Sequence, residues 1–203
     1  AVGKGALDAN TTASNNTAIG QDALGVNTEG ANNVAVGLAA LDANTTGGTN
    51  VAIGVHTLGA NPTAGDNTGV GYAVLLVNTA GASNTGVGVN SLQANTTGTN
   101  GVALGYAALS ANTTGGDNVA IGKEALHDNT TASGNTAVGT EALSKCVTGE
   151  SNTAVGLQAL EKTTASNNTA IGRLAIEKNT TGANNTSIGA LSFINNTTGS
   201  NNT

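Results

Sequence analysis

The sequence predicts an all-β fold, a parallel β-solenoid or β-roll of about twelve coils with 17 residues in each. Three observations carry that expectation. A glycine recurs at Gly3, Gly20, Gly37, Gly54, Gly71, Gly88, Gly105, Gly122, Gly139, Gly156, Gly172 and Gly189, always 17 residues apart except for one step of 16. The alphabet is narrow: 30 Gly stand beside 29 Asn and 32 Thr, with one Phe, two Tyr and no Trp or Met, so no aromatic core is available. Seventeen residues are also too few for the paired helices of an α-solenoid repeat, and the recurring Gly and Asn would interrupt any helix while β-branched Thr, Val and Ile favour strands.

The unit reads N-T-A-I-G-x-x-A-L-x-x-N-T-T-x-x-x. Its first segment, N-T-A-I-G, is expected to be a strand. The residue before the glycine is aliphatic in every unit, from Val2 and Ile19 to Ile188. The fourth residue after it is Leu in ten units and then Ile176 and Phe193. These two rows are assigned to the interior. The A-L pair is read as a short second strand. Because side chains alternate along a strand, Ala18, Ala35, Ala52 and Ala120, with Ala23, Ala40 and Ala125, are then expected as small-residue stripes on the outside, where another sheet can approach. The N-T-T segment turns, since Asn and Thr bond nearby backbone and Asn tolerates left-handed dihedrals.

Stacked coils place like residues one strand spacing apart, so the Asn rows are expected to form hydrogen-bonded ladders. Twelve coils at ~4.8 Å give a rod of ~58 Å. The single short step is expected to lie in the turn at 161–165, where an Asn has dropped out, with the flanking strands kept in register.

Residues 1–203 form one array. Twelve units of 17 less one residue make 203, and Asn202-Thr203 runs into Ala1-Val2-Gly3 in phase. Neither end carries the polar capping unit that a free-standing solenoid needs. The chain therefore reads as an excerpt of a longer array or as a unit that stacks end to end.

Chemistry is scarce. The net charge is −6, and the six cations, Lys4, Lys123, Lys145, Lys162, Arg173 and Lys178, form no basic cluster, so nucleic acid is not an expected partner. No apolar stretch has the length of a membrane-spanning helix. His56 and His127 are too far apart along the rod to share a metal. Asp8, Asp42, Glu161 and Glu177 occupy one register and Asp22, Glu124 and Glu141 another, with no isolated pair in a cleft. Cys146 stands where other units have Asn and excludes an internal disulfide. No catalytic, cofactor-binding or metal-binding residue is expected, and no cofactor.

Asn10, Asn44, Asn95, Asn112, Asn129, Asn179 and Asn196 each head an N-T-T and so satisfy the rule for N-glycosylation. Asn27, Asn61 and Asn78 hold the same rung without a usable sequon, which favours a structural role for the row.

The pattern N-T-A-I-G-x-x-A-L-x-x-N-T-T-G, seen from Asn50 to Gly65 and from Asn118 to Ala132, resembles the Asn/Thr-rich repeats of phage tail-fibre-like and bacterial surface proteins, many of which end in an endosialidase-type self-cleaving chaperone domain. The resemblance covers the whole chain. More distantly, N-x-A-I-G is similar to the head repeats of trimeric autotransporter adhesins, whose repeat length differs. Both resemblances imply an extracellular fibre on a cell or virion surface, commonly trimeric, that spaces or adheres; no chaperone domain or coiled-coil stalk is present here. The expected function is thus a structural segment of an extracellular fibre or filament, an adhesin or tail-fibre-like shaft and not an enzyme, with itself as partner, end to end and laterally as a homotrimer. The alternative is a repetitive recognition surface, a Thr/Asn ladder for glycans, cell surfaces or ice built on Thr11-Thr12, Thr45-Thr46, Thr96-Thr97 and Thr113-Thr114. Interruptions at Glu29, Pro62, Ala80 and Val147 count against a lattice-matching face.

Overall fold

The computed structural model describes all 203 residues and is a β-solenoid with no helix. Eleven strands make one parallel sheet in sequence order: β1 (Thr17–Ile19), β2 (Val34–Val36), β3 (Val51–Ile53), β4 (Thr68–Tyr72), β5 (Thr85–Val89), β6 (Val102–Leu104), β7 (Val119–Ile121), β8 (Thr136–Val138), β9 (Thr153–Val155), β10 (Thr169–Ile171) and β11 (Thr186–Ile188). The first unit adds a single bridge, Val2 to Ile19. Each strand pairs with the equivalent residues one coil away, as Ala18 with Ala35 and Ile19 with Val36.

The strands are the smaller part of the stacking. Of 123 backbone hydrogen bonds only 22 lie within them, so the coils are tied to one another round most of the perimeter. The A-L segment, expected as a second strand, is instead a run of turns. Asp22 and Leu24 have φ of 57° and 51°. Each such left-handed L-residue costs ~1–2 kcal/mol, and each coil repeats the conformation at three places, for example Asn32, Ala39 and Leu41. The turns still bond between coils: Leu24 N–H donates to Ala40 O at 3.0 Å and Asp22 N–H to Lys4 O at 2.9 Å. The left-handed Leu abolishes strand alternation, so Ala and Leu both point inward. Leu24, Leu41, Leu58, Leu75, Leu92, Leu109, Leu126, Leu143 and Leu160, and Ile176 after them, are fully buried. Burying a Leu contributes ~1.5–3 kcal/mol, which offsets the strain at the Leu itself.

The expected faces of the strand are reversed. Ala18, Ala35, Ala52 and Ala120 are fully buried, as are Ala23, Ala40 and Ala125, whereas Ile19, Ile53 and Ile121 are about 40% exposed. The interior of a 17-residue coil is too narrow for an Ile on the strand once the Leu row fills it from the other side. Two coils show how tight the fit is. Where the inner position of the turn is enlarged to Thr57 and Val74, the facing strand position shrinks from Ala to Gly69 and Gly86. A Cβ on Gly69 would lie 2.5 Å from Thr57 Cγ2, and one on Gly86 would lie 2.5 Å from Val74 Cγ1. Gly69→Ala is therefore expected to destabilise by about 1–3 kcal/mol. The pair T57A/G69A restores the arrangement of the other coils and should recover most of that loss. A double-mutant cycle by thermal unfolding measures the coupling; additive effects would contradict this packing.

Two Asn rows line the remaining interior as expected ladders. In the row at the start of the strand, Asn50 N–H donates to Asn33 Oδ1 at 2.9 Å, while Asn33 Nδ2 donates to Gly47 O at 2.9 Å. In the turn row, Asn95 Nδ2 donates to Asn78 Oδ1 at 2.8 Å and to Gly98 O at 3.0 Å. Each amide thus satisfies its own turn and its neighbour's.

The short step keeps strand register, with Thr169 opposite Thr153 and Ile171 opposite Val155. The residue lost is not the Asn rung itself. Thr163 takes that rung, fully buried, and accepts from Asn179 Nδ2 at 3.0 Å. The coil is shorter in the following Thr-Thr pair, which Thr164 spans alone, donating its N–H to Thr180 O at 2.9 Å.

Cys146 interrupts the same ladder. Its thiol bonds Gly149 O at 3.3 Å and leaves the buried Asn129 Oδ1 without a donor. Burial pushes the thiol up to about 11, against the weaker effect of the Gly149 bond. At pH 8 it should resist thiol reagents until the chain unfolds. Cys146→Asn supplies the missing donor and is expected to stabilise by about 1–3 kcal/mol; an unchanged or lower melting temperature would argue against the orphaned rung.

Candidate interaction face

The outer surface of the sheet presents three columns. The residue before each glycine gives Val36, Ile53, Val70, Val87, Leu104 and Ile121. Two residues earlier stand Thr or Val, such as Val51, Thr68 and Val102, half-buried. The residue after each glycine gives Gln21, Leu38, Val55, Tyr72, Val89, Tyr106 and Lys123. In β4 and β5 this third column is part of the strand, with Tyr72 paired to Val89. Tyr72 and Tyr106 are 52% and 53% exposed.

From Leu38 to Tyr106 the face carries no charge over five coils. At ~4.8 Å per coil and ~3.3 Å per residue, that section measures ~24 by ~13 Å, or ~300 Å². A patch of this size is at the scale of the largest found on typical monomers, which are often functional. The two strand columns continue as Val, Ile and Thr along the other coils, while the third adds Lys4, Gln21, Lys123, Thr140, Leu157, Arg173 and Ala190. The inverted assignment of Ile and Ala had placed this face inside the coil, and so it was missed as a site. Its signal in the sequence is the uncharged run Leu38, Val55, Tyr72, Val89, Tyr106 at one register.

Asp66 and Asp117 stand at its border, and most of the other acids lie away from it. Asp22, Glu124 and Glu141 stand two residues after the glycine and Asp8, Asp42, Glu161 and Glu177 five after, on the turn side of the coil. Asp8, Asp22 and Asp42 line a shallow concavity with Gly5, Gly25 and Val26. Burial raises the Asp42 carboxyl, opposed by backbone bonds and by His56, with Asp22 adding to the rise. No set of three His, Cys, Asp or Glu side chains is placed to hold a metal ion. Further along, His127 Nδ1 is bonded to Asp128, and Lys145 Nζ lies 3.2 Å from Asp128 Oδ2. Burial alone would raise the Asp128 carboxyl, but the bonds and charges of His127 and Lys145 outweigh it and hold it below the ordinary range. Lys162 pairs with Glu177 one coil on. In these turn-side pairs the lysines are exposed and their acid partners half-buried.

The seven asparagines that head an N-T-T are part of the inner ladder. Asn44, Asn95, Asn112, Asn129 and Asn179 are buried, and Asn10 and Asn196, at the two ends, are half-buried. Their amide nitrogens donate within the coil wall, as Asn44 Nδ2 does to Asn27 Oδ1 at 2.7 Å and Gly47 O at 3.0 Å. A glycan there needs an outward amide, which the folded coil does not offer. In the Thr pairs the first hydroxyl is likewise used: Thr45 Oγ1 donates to Pro62 O and Thr113 Oγ1 to Thr130 O, both at 2.9 Å. The second Thr is exposed at Thr97, Thr114, Thr131 and Thr148, but Glu29 and Ala80 break that column and the shortened coil omits it. No helix is long and apolar enough to cross a membrane.

None of the family models, curated proteins and solved structures with which the chain was compared matches it.

Proposed function

We propose that the chain is a structural segment of an extracellular fibre or filament, a shaft of the adhesin or tail-fibre kind, that carries out no chemistry and associates laterally with copies of itself through the outer face of the sheet. The observation that carries this reading is the continuous column of Val, Ile and Leu left on the surface, flanked by Leu38, Tyr72, Val89 and Tyr106. The whole face, eleven strands long and three columns wide, has a footprint of ~700 Å². A standard stable interface covers ~800 Å² per partner. The acids, the buried Asn amides and the bonded Thr hydroxyls leave no comparable surface elsewhere on the coil. Sedimentation equilibrium with negative-stain imaging tests the proposal. Rod-shaped oligomers that dissociate on Val87→Lys, at the centre of the face, are expected. Disperse monomers at micromolar concentration would overturn it. The exposed column from Thr97 to Thr148 supports a second reading, a recognition surface for glycan or ice. Thermal hysteresis or glycan binding that is abolished by changing those four Thr to Ala, with the wild type monomeric, would favour it.

A further inference from the structure

We infer that the copies associate with their axes parallel and their coils level, the acidic edge of one sheet face against the basic edge of the next. This rests on the lateral association proposed above and adds its direction and its contacts.

Every strand is bordered by two positions, one five residues before the glycine and one immediately after it, all exposed except the half-buried Val55. The charges on these borders are fully sorted. The border after the glycine carries Lys4, Lys123 and Arg173 and no acid. The border before it carries Asp66 and Asp117 and no cation; its other members are Asn, Ser, Thr and Gly. Chance gives little reason for this in a chain with twice as many acids as cations. The two borders are six residues apart, at most ~20 Å if fully extended, and no ion pair joins them within a coil. Asp117 instead accepts from Asn100 Nδ2 at 2.9 Å, and Lys123 Nζ lies 3.4 Å from Glu124 while more than half exposed. Both side chains are free to turn outward.

Opposed faces can meet in two ways. In an antiparallel pair each border faces its own counterpart, so Lys123 and Arg173 share a seam with the same cations of the other copy and Asp66 and Asp117 share a seam with acids. Like charges so placed disfavour association. In a parallel arrangement, across a twofold or round a threefold axis along the rod, each border faces its opposite. With coils level, Asp117 of one copy stands against Lys123 of the next in the coil of β7, and Asp66 against the Tyr72 hydroxyl in the coil of β4. Asn15 faces Gln21 and Asn167 faces Arg173. A shift of three coils also places acids on cations, Asp66 on Lys123 and Asp117 on Arg173, but a uniform shift generates an open helix, whereas closed rings require level coils.

Single-cysteine variants in full-length protein test this, since Cys146 is buried and the C146N background removes it. Under a mild oxidant, a mixture of D117C and K123C chains is expected to give intermolecular disulfides on non-reducing gels. D117C alone and K123C alone should give none. Self-cross-linking of either single variant would establish the antiparallel arrangement, and a D66C–K123C bond the shifted one; each overturns the inference. Charge variants add an uncross-linked measure: K123D should weaken association several-fold, and K123D/D117K should restore it. If the wild type does not associate at any concentration, the lateral reading itself fails. If it associates and the D117C–K123C bond is absent, that reading stands and the parallel, level arrangement is wrong.

Discussion

Replacing Gly105 by Ala is expected to cost about 2–6 kcal/mol, combining ~1–3 for backbone strain and ~1–3 for overpacking. Gly105 has φ +138°, a conformation that L-residues rarely adopt. An added Cβ would lie 2.6 Å from Gly122 O in the next coil. That carbonyl belongs to backbone that cannot withdraw. Gly122 N–H is bonded to Leu104 O at 2.8 Å and Gly105 N–H to Val87 O at 2.9 Å, so moving either coil breaks the stack on its far side. Repeats contact only their neighbours, and the damage should therefore be local. Limited proteolysis is expected to cut near residues 100–125 while distant coils stay protected. Gly134 is the control. Its φ is +70°, other coils hold Asn, Asp, Ser or Thr there, and its nearest neighbour to an added Cβ is Ser151 Oγ at 3.6 Å. Gly134→Asn should be nearly neutral. Equal effects of the two substitutions would contradict the role assigned to the glycine row.

Much of this architecture is legible because the repeat reports it twelve times. The period shows the coil, the Leu kept in ten of twelve units shows the core, and an Asn that persists where its sequon fails shows a ladder. The faces of the strand are less legible. Hydropathy ranks Ile above Ala, and so Ile19 was assigned inside and Ala18 outside. Volume decides otherwise, because a coil already filled by Leu24 and two Asn rows has room only for a methyl group. Two signals contained the answer. Asn16 and Ala18 share strand parity, and a ladder Asn must face inward. Gly69 and Gly86 replace Ala only beside Thr57 and Val74, a volume exchange that makes sense only between residues in contact. The left-handed Leu left no such trace, since intrinsic preference disfavours Leu there and only the tertiary gain selects it. The candidate face was hidden by the same inversion, while its sorted charges become visible once parity is known.

Asn112→Asp, a change of one amide to one carboxyl, is expected to destabilise by at least ~3 kcal/mol at neutral pH, the scale of an uncompensated buried charge. Asn112 is almost fully buried. Its Nδ2 donates to Asn95 Oδ1 at 2.8 Å and to Gly115 O at 2.9 Å, and its Oδ1 accepts from Asn129 Nδ2 at 2.9 Å. A carboxylate keeps the acceptor and turns the donor into a second acceptor, aimed at two oxygens. Burial and those oxygens would hold the new carboxyl above the ordinary carboxylate range. The folded state then keeps a proton that the unfolded chain releases, so the penalty grows as pH rises above the unfolded value and levels off above the folded one. Lowering the pH should recover part of the loss, because a protonated carboxyl can donate to one of the two acceptors. Asn32→Asp, exposed at the border of the sheet, keeps the oxygen that accepts from Asn15 Nδ2 at 3.1 Å and should change stability by less than ~0.5 kcal/mol. Thermal melts of both variants from pH 4 to pH 8 distinguish the cases. A melting temperature for Asn112→Asp that matches the wild type at pH 8, or that falls rather than rises relative to it on acidification, would mean that the turn row is not a buried amide ladder.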